Sequence, residues 1–278
     1  MLGAPARLDE LKDIADRHGL FLVEDCAQAF GATYQGQGVG GIGHTGVYSF
    51  NEYKTITCGD GGMIVTDDEE LYGRLFAIHD QGHAPFRAGS KYAERPFLGL
   101  NFRMTELSGA VLLAQVRKLD LIRTHLRENK AIVKSTIADL PGLGFREMVD
   151  PEGDLATHLV VTFPSPEIAR AVAEALGSIT LDASGWHVYA NMEHLLEMRT
   201  VSSKGCPFDC ACYASDGVRY WRGMLPQTDA LLARSMSIGI GVFDTNLAPW
   251  GLRMRDDDEA ARRVAERFCE VARPFLAG

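Results

Sequence analysis

Hydrophobic and polar positions along this chain alternate between two rhythms. Residues 7–18 put Leu8, Leu11, Ile14 and Ala15 on one helical face, and Gly19 follows where a left-handed C-terminal cap belongs. The apolar run Leu20 to Val23 predicts a strand covered on both faces and ending at Glu24-Asp25. Two further runs, Val47 to Phe50 and Met63 to Val65, repeat that pattern between Gly-rich turns, and a helix is expected from Asp68 to Ile78. Strands interleaved with helices predict an α/β sheet. From Thr105 to about Leu140 the period becomes helical. Leu107, Ala110, Val111, Ala114, Leu119, Ile122 and Leu126 form the stripe, and Pro141-Gly142 stops it. Beyond it the pattern predicts a strand at His158 to Phe163, a helix at Pro166 to Leu176 and a strand at Ser235 to Val242. A closing helix follows Asp256-Asp257-Asp258, with Val264, Phe268 and Val271 on its inner face.

Composition narrows the functional classes. With 278 residues, 46% of them hydrophobic, the chain buries a real core, and two domains are expected. Acidic residues outnumber basic ones 37 to 28, a net charge of −9, which leaves no electrostatic footprint for nucleic acid. No apolar run reaches membrane-spanning length, and the opening MLGAPARLDELKD lacks the basic and apolar regions of a secretory signal, so a cytoplasmic protein without a membrane partner is expected. In that compartment the six cysteines are expected to be thiols.

Several motifs lack the context their chemistry requires. Gly36-Gln37-Gly38-Val39-Gly40-Gly41 fits G-x-G-x-x-G, but a strand-like segment follows where a dinucleotide site needs a helix, so a tight turn is the better account. Cys206, Cys210 and Cys212 offer three thiolates, with His187 or His194 as a fourth zinc ligand, yet no second pair completes the site; no metal is expected, and a surface loop is the plainer reading. The segment WHVYANMEHLLE lacks the H-E-x-x-H spacing of a zinc protease.

Two other segments carry more. VEDCAQAFGA at 23–32 and VYSFNEYKTITCGDGGMIVTDDEE at 47–70 place an acid and a lysine just past two apolar strands, the edge at which open α/β sheets bind ligands. These segments closely resemble the DegT/DnrJ/EryC1/StrS aminotransferases. The likeness continues through HDQGH, LGLNFRMTELSGAVLLAQVRKLD, HVYANMEHLL and MLPQTDALLARSMSIGIGV, and is loosest from about 140 to 218. It implies the aspartate-aminotransferase-like fold of pyridoxal 5′-phosphate (PLP) enzymes, fold type I. That means a large α/β domain with a central mixed sheet over residues 1–140, ending in a long connecting helix, and a smaller α+β C-terminal domain over 141–278.

Carried over by motif, the resemblance makes Lys54 the Schiff-base lysine and proton shuttle, whose amine attacks only when neutral. It sets Asp25 against the pyridine nitrogen, Gln28 against the ring and its phenolic oxygen, and Ser49 on the phosphate. Asn101 is expected to reach a phosphate in the neighbouring subunit, which implies a dimer. Tyr189 and His194 fall near the family's substrate-contacting turn. Lysine rather than histidine at position 54 favours transamination over the family's dehydratase branch. The amino donor is expected to be glutamate or glutamine, and the acceptor a nucleotide-linked keto-sugar or a keto-cyclitol. Residue 1 aligns partway into the family's fold, so the segment that grips the phosphate in relatives is expected to be missing. Three accounts follow: a split, hetero-oligomeric enzyme whose second chain supplies that segment, a shortened gene product, or a non-catalytic accessory subunit paired with another aminotransferase chain.

Overall fold

Asp16 and Ala15 carbonyls at the end of the first helix, α1 (Leu8–His18), are capped by the N–H groups that follow, with Gly19 at φ 61. Leu20 N closes this cap on Ala15 O at 2.8 Å. Leu22 then spends both backbone groups on His44, its N–H on Nδ1 and its carbonyl on the His44 N–H. The first strand, β1 (Val23–Asp25), therefore starts three residues later than the apolar run predicts and includes Glu24 and Asp25. Leu20 and Phe21 lie exposed before it.

The computed structural model describes residues 1–84, 97–201, 205–208 and 219–277. They divide into two compact units, Met1–Glu128 with Glu147–Thr157 and Asn129–Arg146 with His158–Gly278. In the first unit, β1 is followed by a two-residue hairpin, β2 (Thr33–Tyr34) and β3 (Gln37–Gly38), then β4 (Thr45–Ser49) and β5 (Gly62–Val65). β1 runs parallel to β4 and β5 antiparallel to it, giving a three-stranded sheet of order β1-β4-β5. Helix α2 (Glu69–His79) starts on Asp68, whose side chain accepts the Leu71 N–H at 3.0 Å. The long predicted helix is two helices, α3 (Glu106–Val116) and α4 (Leu119–Ile137). The break falls at Arg117-Lys118, where neither glycine nor proline announces it. Of the predicted stripe, Leu107, Ala110, Val111 and Ala114 on α3 are exposed and Leu112 is buried instead; on α4, Leu126 is fully buried.

The second unit takes up α4 from Asn129. It adds β6 (Gly144–Phe145), β7 (His158–Thr162), α5 (Pro166–Ala175), the short α6 (Glu193–Leu196), α7 (Pro226–Ala233), β8 (Ser235–Gly241), β9 (Gly251–Arg253) and α8 (Asp258–Leu276). Its sheet has the order β6-β7-β8-β9, antiparallel except for the last pair. Met236, Ile238, Ile240, Phe163 and Phe268 are fully buried. Asp257 caps α8 by accepting the Ala260 N–H at 3.0 Å.

Candidate active site

Alternation along β1 and β4 sorts the first sheet into two faces. Asp25 pairs with Val47, so Asp25, Val47 and Ser49 share one face near the carboxyl ends of neighbouring parallel strands. Glu24, Gly46 and Tyr48 share the other. That second face is closed from within: the buried Glu24 carboxylate accepts the backbone N–H groups of Gly40, Ile42 and Gly43, and Tyr48 donates to Val39 O at 2.7 Å. Gly46 is required there, because a Cβ would sit 2.2 Å from Gly40 O. Burial raises the Tyr48 pKa, which keeps its proton for that bond. The glycine run is thus a hairpin turn, with Gln35 at φ 51 and Gly36 at φ 82, followed by a loop whose N–H groups are already spent on Glu24. With Val39 N on Ala32 O and Gly41 N on Gly38 O as well, the run is tied into its own turn, in agreement with the tight-turn reading.

On the first face and in the turn after β1 some hydrogen-bonding capacity is unspent. Asp25 Oδ1 accepts the Ala27 N–H at 3.1 Å, which leaves its other oxygen as an acceptor. Gln28 Oε1 accepts the Leu2 N–H at 2.9 Å, which leaves its NH2 as a donor. Ser49 Oγ accepts the Asn51 N–H at 3.4 Å, which leaves its hydroxyl proton. Between Phe50 and Gly61 the chain makes a closed loop. Phe50 N donates to Gly61 O at 2.8 Å, Phe50 O accepts from Cys58 N and the Thr57 hydroxyl, and Lys54 N donates to Asn51 O at 3.0 Å. Phe50 and Ile56, both buried to within 1%, anchor it on either side of Lys54. The lysine is half-buried, and among the described residues its ammonium has no hydrogen-bond or ion-pair partner. Beneath Asp25, Cys26 is held neutral: burial, and then the Glu24 and Asp25 charges, push its thiol up to about 12. It packs in the cluster built on Leu8, Ala29 and Ala32.

Asn101 lies on a β-bridge opposite Asp80, with its side-chain oxygen accepting from Arg103 Nε at 3.1 Å and its NH2 left over as a donor. A carboxylate acceptor, a lysine and three donors from Gln28, Ser49 and Asn101 match the polarity of a group with a cationic ring nitrogen, an aldehyde and an anionic phosphate.

The sequence profile of the DegT/DnrJ/EryC1/StrS aminotransferase family matches residues 1–200. The chain belongs to this family. It is 39% identical over 140 residues to a GDP-perosamine synthase of Escherichia coli O157:H7, covering 50% of this chain and 37% of that protein. It is 38% identical over 160 residues to a dTDP-3-amino-3,4,6-trideoxy-alpha-D-glucose transaminase of Streptomyces venezuelae, covering 57% and 40%. Against an L-glutamine:2-deoxy-scyllo-inosose aminotransferase of Streptoalloteichus tenebrarius it is 32% identical over 191 residues, covering 64% and 45%. Each alignment therefore takes in less than half of the curated relative. Among solved structures, S. venezuelae DesV in complex with a ketimine intermediate superposes with a TM-score of 0.69 at 28% identity, over all of this chain and 64% of that one. The fold is that of the DegT/DnrJ/EryC1/StrS aminotransferases, the α/β fold-type I class that the sequence resemblance implies.

The remaining family positions lie on the second unit. Tyr189 commits its hydroxyl internally, donating to Asp229 Oδ2 at 2.8 Å and accepting from Gly223 N and Leu225 N. Its phenol thus ties residues 223–229 to the turn at 189. His194 is exposed on α6, edge-on to Trp186 at 5.1 Å, and the Trp186 indole donates to Glu193 at 3.1 Å. Cys206 is exposed, while Cys210 and Cys212 lie outside the described residues. Among the described residues no three His, Cys, Asp or Glu side chains gather as a metal site, and no helix is long and apolar enough to cross a membrane. Glu24, Asp80 and Arg103 escape the sequence reading. Asp80 and Arg103 lie within HDQGH and LGLNFRMTELSG, blocks that carry the resemblance without assigning them a role.

Proposed function

We propose that this chain carries the reactive part of a PLP-dependent aminotransferase that moves an amino group from glutamate or glutamine to a nucleotide-linked keto-sugar or a keto-cyclitol. The observation that carries this reading is the convergence of Asp25 and Ser49 on one face of β1 and β4, with Lys54, whose ammonium has no partner among the described residues, on the anchored loop that follows. When bound, PLP supplies an aldehyde that condenses with amines and a ring that accepts the electron pair of the substrate carbon. Lys54 would hold the cofactor through its amine and would move the proton at the substrate carbon. The free oxygen of Asp25 would accept the ring N–H and keep that nitrogen protonated. Gln28 would donate to the ring oxygen, Ser49 to the phosphate, and Asn101 to the phosphate of the neighbouring subunit. The names of the relatives, which act on nucleotide-linked sugars and on a cyclitol, support the acceptor class, and one of them names glutamine as donor.

One observation favours a second reading, an accessory subunit joined to another aminotransferase chain. The face bearing Asp25 is apolar and open, with Val23 and Ile64 about half exposed, and β1 and β5 are both edge strands. The same experiment tests both readings. Purified chain, alone and mixed with a candidate partner, is titrated with PLP, scanned for a visible absorption band, reduced with borohydride and peptide-mapped. A band fixed on Lys54 and lost in Lys54→Ala supports the catalytic reading. An adduct found solely on the partner's lysine makes this chain the accessory subunit.

A further inference from the structure

We infer that Asp80 and Arg103 form a clamp that presents Asn101 as a hydrogen-bond donor to the cofactor's phosphate, which makes both of them positioning residues. The inference rests on the reading of Asn101 given above and adds residues to which no role has been assigned. Backbone pairing first brings the three together. Leu100 N donates to Ile78 O at 2.7 Å, Gln81 N to Leu100 O at 2.9 Å and Phe102 N to His79 O at 2.9 Å, setting Asp80 opposite Asn101.

Chemistry then fixes the direction of the amide. A guanidinium only donates, so the end of Asn101 that faces Arg103 must be its oxygen. That oxygen takes the Arg103 Nε–H at 3.1 Å and the Arg103 backbone N–H at 3.4 Å. The NH2 group is thereby turned the other way, the polarity an anion requires. Arg103 is itself held by charge. Its Nε lies 3.3 Å from Asp80 Oδ1, an ion pair without a hydrogen bond between a half-exposed guanidinium and a carboxylate side chain 9% exposed, and His83 Nδ1 stands 3.6 Å from the same oxygen. Removing the Asp80 charge leaves the guanidinium without its counter-ion, free to swing to solvent. Asn101 then rotates about its side-chain bonds and points its NH2 at the phosphate only part of the time.

The test is a double-mutant cycle read with two ligands. Dissociation constants for PLP and for pyridoxal, which lacks the phosphate, are measured by the visible band on wild type, Asn101→Ala, Asp80→Asn and the double variant. Each single substitution is expected to weaken PLP about 10- to 100-fold, the worth of a hydrogen bond to a charged group. Pyridoxal binding should stay unchanged, and the double variant should be no weaker than Asn101→Ala. Asp80→Glu should recover part of the loss. Equal losses for both ligands, or additive losses in the double variant, overturn the clamp. Nitrogen-15 relaxation of the Asn101 side-chain NH2 in cofactor-free protein gives a reading independent of PLP. Its order parameter should fall from about 0.8 to below about 0.6 in Asp80→Asn or, where that variant does not fold, in Arg103→Gln. An unchanged value overturns the clamp even where wild type fails to bind PLP, a failure that by itself sinks only the functional reading.

Discussion

In the sheet of the second unit, β8 is buried along Ser235 to Ile240, whereas β5 in the first unit has no buried residue and β1 buries only Glu24. The second sheet is finished by its own chain: α5 packs on β8, α8 packs on β9, and α5 and α8 pack on each other. The first sheet is finished on one face only. Tyr48 joins its two apolar clusters there, one built on Leu8, Ala32 and Leu155 and the other on Phe50, Ile56 and Leu112. The opposite face carries Asp25 and Ser49 beside Val23 and Ile64, which are about half exposed. On the proposed reading, stability and chemistry fall on different surfaces, because a packed face spends its polar groups internally and a reactive face must keep some unspent.

The largest effect should come from breaking the finished sheet. Phe268 is fully buried with ring centroids 6.3 Å from both Phe163 and Trp250. Phe268→Ala is expected to cost about 3–5 kcal/mol, since transfer and cavity terms add at a site with little room to collapse. Urea unfolding followed by Trp250 fluorescence measures it. A cost below about 1 kcal/mol would mean that the second unit is as loosely packed as the open face of the first.

A smaller effect separates the finished sheet by pH. His158 begins β7, and burial, with Lys130 adding to it, lowers its pKa from 6.5 to about 3. In the fold the ring stays neutral, while the unfolded chain takes up a proton near pH 6.5. The unfolded state therefore gains protons first as pH drops. The contribution is complete above about 6.5 and is lost progressively down to about 3, at a slope of up to about 1.4 kcal/mol per pH unit. Denaturation at pH 7.5 and 5.5 should show a loss of about 1 kcal/mol or more that His158→Gln reduces. If the variant keeps the full slope, other groups carry the pH dependence.

How much of this was legible depended on whether the information lay in one stretch of chain. Lys54, Asp25, Gln28 and Ser49 sit inside two contiguous motifs, and the elements around them followed from apolar runs bounded by glycine. Helix α3 shows the limit. Its helical period holds, but the stripe of Leu107, Ala110, Val111 and Ala114 is exposed and Leu112 is buried instead, because periodicity says only that a face seeks cover, and Leu107, 82% exposed, finds none within the described residues. The start of β1 was misplaced because a histidine side chain, His44, took the backbone group that a neighbouring strand was expected to take. The pairing of Asp80 with Arg103 was hidden for a related reason, although each lies in a family-like block. They are distant in sequence and joined by a bridge register that no local pattern encodes.

The smallest effect expected is also the one that bears most directly on the contrast between the sheets. Val23 and Ile64 lie on the open face, 52% and 50% exposed. Val23→Thr with Ile64→Thr keeps β-branched shape while adding a hydroxyl at each position, and solvent already hydrates both sites. Stability of the isolated chain should move by less than about 0.5 kcal/mol. If another polypeptide covers this face, the same pair of substitutions should weaken that association, because the hydroxyls must then be buried without partners. Sedimentation of wild type and double variant over a concentration series, with and without a candidate partner, reads association apart from folding. A large loss of stability with unchanged association would place these side chains in the chain's own core and erase the distinction between a finished and an open sheet.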